Sequence, residues 1–520
     1  MTRTGRITRW VAAPAAALAI VAPSLADEVV IAVATEPTSL DPLFQALGSN
    51  HELAKHAFNS IIEPGPKYEL VPGLAESWGP TDDPLVWEFK LRKGVKFHNG
   101  EPFTARDVAF TYERTPNVPN APSTYKRRTA KVAETTVVDD HTLRVRTKTP
   151  YPLLPNSLAA VPIVSHTIGM DAEPTEFNDG SKLHGTGPYR FVEFVAGDHV
   201  TYVANEDYWG GKPKWNKVII RWIKSGPARV AALLSGDVDA IASVPTTDVD
   251  KLEADPNINV SCDQSTRVIY WSLDVHRENA EHITAKDGSP ISNPLADRRV
   301  RQAFNMALDR NVIVDEVMGG LAVPANQIAG EGFGGHNPDI PMPDHDIEAA
   351  KALLAEAGYP DGFNLTIHAT NDRYVNDAKL AQAVAQLLSR IGVDVTVETM
   401  PVAVYYGKAR KHEFTMAQIG WSSATGESSA IMNPALSSGV RNNYGRWENE
   451  RFNELMQGAL STVDHAEYES KLLEATAVAM EDLPIIPTHF QVVCWATRKG
   501  LAYEPRADEY TQAESLGVAQ

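Results

Sequence analysis

Cysteine is nearly absent from this chain: among 520 residues there are two, Cys262 and Cys494. Two thiols cannot build the four-thiolate cage of a structural zinc site. Both lie in strand-like runs, NVSCDQSTRVIYW and FQVVCWATRKG, and are read either as a bridge formed in an oxidising compartment or as two buried thiols. Positive charge is also in deficit. Lysine and arginine number 48 against 66 acidic residues, a net charge of −18, which argues against general binding to nucleic acid or to anionic membrane. Past the N-terminal segment no window reaches the roughly 18 apolar residues of a membrane-crossing helix. No repeat, low-complexity tract or G-x-S-x-G nucleophile turn occurs.

What is present begins with a leader. Arg3, Arg6 and Arg9 precede the short apolar run VAAPAAALAIVA, and SLA supplies small residues before Asp27. Residues 1–26 are therefore expected to be a signal peptide, and the mature protein to be periplasmic. Its removal takes away three arginines and no acid, so the mature chain is more negative still. The remaining length suggests two or three lobes.

The stretch WEFKLRKGVKFHNGEPFTARDVAFTYER (87–114) carries a histidine, basic residues and a row of aromatics, yet each residue has a scaffolding role. Trp87, Phe89 and Leu91 alternate with Glu88 and Lys90, the pattern of a half-buried strand. Asn99-Gly100 predicts a tight turn. Thr104, with Asp107 three residues on, predicts a helix N-cap and capping box. His98 has no companion at ligand spacing and is read as a turn-flanking polar group. In VVDDHTLRV, Asp139-Asp140 reads as a hairpin turn.

Other motifs fail on context. GEGFGG (330–335) is followed by Pro338, Pro341 and Pro343, which forbid the helix a dinucleotide fingerprint requires. In HELAKH the histidines His51 and His56 are five apart, not the four that place two ligands on one helical face. No metal ligand set, cofactor or catalytic constellation is predicted.

The 87–114 stretch closely resembles the signature of the family 5 extracellular solute-binding proteins, the peptide, nickel and opine receptors of bacterial ABC importers. Further segments follow in the family's order: ATEPTSLDPL, LVPGLAESW, GTGPYRFVEF, NEDYWGGKPKWNKVIIRWI, RRVRQAFNMALDR and DLPIIPTHF. The resemblance implies an α/β periplasmic-binding-protein fold, with two lobes of mixed sheets flanked by helices, a hinge, and an inserted subdomain. The first lobe is expected at 27–60, 185–268 and 485–520, the insert at 61–184 and the second lobe at 269–484. It implies a monomeric, non-catalytic receptor that closes on a small organic solute, peptide-like or opine-like, and presents it to ABC importer permease subunits. A sugar-like compound, a metal chelate and a secreted hydrolase are the alternatives.

Ligands of open α/β sheets sit beyond strand ends. FTMAQIGWSSATGES (414–428) is an apolar strand opening into small polar residues, and the family places a ligand-contacting tryptophan there, so Trp421 is the leading candidate. Dipeptide receptors of the family carry an aspartate three positions later; here stands Ala424, and Glu427 is the nearby carboxylate. The loop HATNDRYVND offers Asn371 and Arg373, and VRNNYGRW offers Arg441, Asn443 and Tyr444. Tyr270 lies at the expected crossing between lobes and Asn50 on the first lobe. Arg373 and Arg441 point to an anionic group on the ligand, because guanidinium binds carboxylate in a fork.

Overall fold

Two long antiparallel strands, Ile258–Leu273 and Ile485–Arg498, run through the middle of the molecule. They are seen in a computed structural model that describes residues 28–122 and 124–519; the predicted leader lies outside the described residues. The two strands pair in register from Ile258↔Arg498 to Gln264↔Val492, break, and resume at Val268↔Phe490. Ser265, Thr266 and Arg267 thus have no partner on the opposing strand.

A 12-stranded mixed sheet grows outward from this pair. On one side Glu28–Val33 lies parallel to both Ala240–Ile241 and Lys217–Trp222, and the antiparallel strands His199–Ala204 and Tyr189–Val195 follow. On the other side Met416–Ser422 runs antiparallel to Ile258–Leu273 and parallel to Asn364–Thr370, which pairs with Asp394–Met400. Helices cover the faces, as parallel strands require.

Packing divides along the same line. Val29, Ile31, Phe58, Val218 and Trp495 belong to one core, and Trp271, Phe304, Ile367 and Leu388 to another, with Tyr270, Ile419 and Phe452 in a third beside it. Separate cores joined mainly by two continuous strands make two lobes and a hinge.

The 87–114 stretch folds as its residues dictate. Val86–Leu91 is a strand of a four-stranded sheet with Ala75–Pro80, Thr142–Thr147 and Val132–Asp139, and Trp87, Phe89 and Leu91 are buried. Gly100 takes a φ of 88°, the left-handed turn conformation that favours glycine. Thr104 caps the helix Ala105–Arg114, and its own backbone N–H donates to the Asp107 carboxylate at 2.7 Å. His98 is structural: its Nε2 lies 3.0 Å from the Gly187 carbonyl, and burial pulls its imidazole down to about 4. The buried pair Asp41–Arg114 fastens this subdomain to the segment following Glu28–Val33. The GEGFGG segment is a loop, held where the Gly335 N–H donates to Glu469.

Candidate functional site

The break in strand pairing leaves Arg267 beside the end of Met416–Ser422. Around it a cavity of about 800 Å³ opens between the lobes. The first lobe contributes Gly48 to Glu52 apart from Asn50, together with Tyr68, Arg128, Asn156 and the segment Asp508–Thr511; the second contributes Asp372, Arg373 and Ser422–Thr425.

The second-lobe wall is a turn fixed from inside. The Glu427 carboxylate accepts from Thr425 Oγ1 at 2.6 Å, Ser429 N at 2.7 Å, Ala430 N at 3.1 Å and Tyr468 Oη at 2.6 Å. That arrangement satisfies the first amides of the helix Ser429–Leu436 and faces Ser422–Thr425 to the cavity. The same turn touches the first lobe. Asn156 Nδ2 donates to the Thr425 carbonyl at 3.0 Å and Arg128 Nη1 to the Ala424 carbonyl at 3.4 Å. Gly426, at φ 75°, packs so closely on Tyr68 that a Cβ would collide with it.

Charges in the cavity differ in how far they are committed. Asp508 is paired with Arg506 at 2.6 Å, and Glu509 with Arg267 at 2.9 Å. Arg128 and Arg373 have no carboxylate within salt-bridge distance among the described residues, and Arg373 lies over the Tyr374 ring at 5.5 Å. Asp372 accepts from the Val402 N–H at 2.8 Å, at the start of the helix Val402–Ala409. Burial raises Glu52 to about 8, aided by the neighbouring Asp508 charge and opposed by the N–H of Thr511, which donates to it at 2.8 Å. Burial, then the Lys55 charge, holds the His51 imidazole well below its usual value.

A pH dependence follows from Glu52. Between its ordinary value of 4.5 and about 8, the folded chain keeps a proton that the unfolded chain releases. Its contribution to stability is therefore whole below 4.5 and is lost as pH rises toward about 8. Unfolding midpoints across this range should fall less steeply for Glu52→Gln than for the wild type. Equal slopes would assign the titration to another group.

Of the residues singled out by sequence, Arg373 lines the cavity. Trp421 pairs with Val268 in the sheet and packs on the neighbouring core. Tyr270 is core, at 1% exposure. Asn50 Oδ1 accepts from the Thr38 N–H at 3.2 Å, while its neighbours face the cavity. Asn443 Nδ2 donates to the carbonyls of Leu436, Ser437 and Trp447. Tyr444 is buried, with its hydroxyl on Asn442 at 3.4 Å. Asn371 and Arg441 are exposed and do not line the cavity. Glu427 holds the wall from behind. Sequence reasoning missed Arg128, Glu52, Arg267 and Glu509, whose only local signal was charge in the runs YKRRTA, HELAKH, STRVIYW and RADEYT.

Two lobes sharing a pair of through-running strands, with a solute-sized cavity between them, define a two-lobed binding protein. The chain belongs to the bacterial extracellular solute-binding proteins, family 5, whose Middle-region model matches residues 69–443. It is similar to heme-binding protein A of Haemophilus influenzae, with 28% identity over 93% of this chain and 90% of that one. It is similar also to the glutathione-binding protein GsiB of Pectobacterium atrosepticum, with 29% identity over 92% of each. Among solved structures, HbpA2 of Haemophilus parasuis superposes with a TM-score of 0.83 at 26% identity, over 95% of this chain and all of that one. The α/β two-lobed fold and the family read from the sequence are thereby established. These relatives are binding proteins. Among the described residues no helix is long and apolar enough to cross a membrane.

Proposed function

We propose that this chain is an exported, periplasmic receptor, monomeric and without catalysis, that traps a small anionic organic solute between its lobes and delivers it to the permease of an ABC importer. In this reading residues 1–26 are the export signal, 61–184 the insert, and 269–484 the second lobe. The observation that carries it is the interlobe cavity of about 800 Å³, walled by both lobes and holding the guanidiniums of Arg128 and Arg373, which have no carboxylate partner among the described residues. Its volume falls in the range of small-molecule sites. A solute touching both walls favours the closed arrangement by its differential affinity for that state, and a permease that recognises the closed shape then receives the loaded receptor. The relatives named for heme and glutathione bind carboxylate-bearing solutes, which accords with an anionic ligand.

The test is a thermal-shift screen of the mature protein against acidic peptides, opines, acidic sugars and heme. One class should raise the midpoint by mass action. Arg128→Gln and Arg373→Gln should each then weaken that ligand about 10- to 100-fold, the scale of one charge-assisted contact, by titration calorimetry. Undiminished affinity in the double variant would remove the anionic group from the reading, and turnover of the solute would remove the receptor.

A further inference from the structure

Two neighbouring leucines, Leu153 and Leu154, are buried in different lobes. Leu154 lies in the first-lobe core together with Leu158, both fully buried. Leu153, at 7% exposure, belongs instead to the second-lobe core that holds Tyr270, Ile419 and Phe452. Tyr151 packs against both cores. The crossing is reciprocated: Val463, between the second-lobe helices Glu450–Ala459 and His465–Asp482, packs against the first-lobe core.

Leu153 is carried on a stiff arm. Pro150, Pro152 and Pro155 restrict the backbone in and around YPLLPN (151–156), and Tyr151 Oη and Ser157 Oγ are hydrogen-bonded at 2.9 Å. The arm ends in Asn156, whose Nδ2 donates to the Thr425 carbonyl at 3.0 Å, while Arg128 Nη1 donates to the Ala424 carbonyl at 3.4 Å. Both acceptors lie on the turn that Glu427 braces from behind, and Gly426 of that turn closes on Tyr68. The lobes are thus joined on this side by apolar burial and by hydrogen bonds made between protein groups alone.

We infer that the arm Tyr151–Asn156 is a clasp that holds the lobes closed over an empty cavity, and that Leu153, which does not line the cavity, is a positioning residue acting through the lobe equilibrium. Opening the lobes exposes Leu153 and the apolar surface it covers on the second lobe. Burial of one leucine side chain shifts an equilibrium about 10- to 100-fold, and a proline-ribbed arm has little conformational entropy to lose when it docks. A solute then meets walls that are already set, and its contacts raise affinity without first having to close the lobes. Entry requires a transient opening, so association is gated by the clasp.

The experiment is small-angle scattering of the mature protein, refolded from denaturant to remove any carried solute and measured without one. Wild type should scatter as the closed arrangement. Leu153→Ala should lower the closed-to-open ratio about 10- to 100-fold, the scale of one buried leucine. Asn156→Asp sets a carboxylate against the Thr425 carbonyl and should shift the ratio in the same direction, and the double variant should give the profile of separated lobes. Leu153→Met, which keeps volume and apolar character, should stay closed. Urea unfolding midpoints report whether the variants fold; where Leu153→Ala does not, Asn156→Asp and the wild type decide. An empty wild type that scatters as separated lobes overturns the inference, and so does a folded double variant as compact as the wild type. Neither result touches the receptor reading, because no solute enters the measurement.

Discussion

Replacing Asp41 by alanine should destabilise the protein by about 3–5 kcal/mol, the usual result of stripping the partner from a buried charge. Asp41 and Arg114 are both fully buried. The guanidinium donates to the two carboxylate oxygens at 3.2 and 2.7 Å, to the Ala172 carbonyl at 3.0 Å, and lies over the Phe177 ring at 5.3 Å. Asp41 also accepts from the Leu43 N–H at 2.9 Å. Without the carboxylate, Arg114 keeps its charge in a site that water does not reach. The joint replacement Asp41→Leu with Arg114→Met should recover much of the loss, because two apolar side chains need no partner. Urea unfolding of the single and double variants measures both effects. A single variant losing less than about 1 kcal/mol, the scale of an exposed pair, would mean that solvent enters the site. Functionally the pair ties the helix Ala105–Arg114 to the segment following Glu28–Val33, and Arg128 and Asn156 of the cavity wall lie further along the same stretch of chain, so partial unfolding there should weaken ligand binding as well.

Arg114 also shows which features a sequence exposes. It closes the 87–114 signature, and every local feature of that stretch was legible: the alternation of Trp87, Phe89 and Leu91, the turn at Gly100, and the capping box of Thr104 and Asp107. Each depends on residues within a few positions of one another. Arg114's own partner lies 73 positions away, and no spacing rule reaches it. The site residues follow the same division. Loops at strand ends carry polar side chains for two purposes, to meet a ligand and to satisfy the loop's own backbone groups. Sequence cannot separate them. Glu427 and Asn443 proved to serve the backbone, through the amides of Ser429 and Ala430 and the carbonyls of Leu436, Ser437 and Trp447. Arg267 and Glu509, 242 residues apart, meet only because the C-terminal segment returns to the hinge. Fold and family were readable because they are carried by many local matches; the cavity was not, because it is assembled from segments distant in the chain.

Removing the bridge between Cys262 and Cys494 should have the other large effect. These residues oppose each other directly in the two through-running strands and form a disulfide, so the alternative of two buried thiols is set aside. The bridge closes a loop across a separation of 232 residues. In the chain-entropy description, constraining so long a loop in the unfolded state is worth about 5 kcal/mol, and removal of native bridges typically costs about 2–5 kcal/mol. The double variant Cys262→Ser, Cys494→Ser should lose stability in that range by chemical unfolding. Its position adds a second expectation. The bridge lies two residues before Gln264, where pairing breaks, on the side where Ile258–Gln264 faces Val492–Arg498. Bending is thereby confined to the unpaired segment Ser265–Arg267, because the covalent tie holds the adjacent pairs in register. In the double variant the break should spread toward Ile258, and amides of 258–263 and 493–498 should exchange hydrogen faster, while those of 268–273 and 485–490 keep their rates. Equal acceleration on both sides of the break would mean that the bridge stabilises the whole protein without shaping its hinge. An unfolding midpoint identical to the wild type's would mean that the strands need no covalent tie.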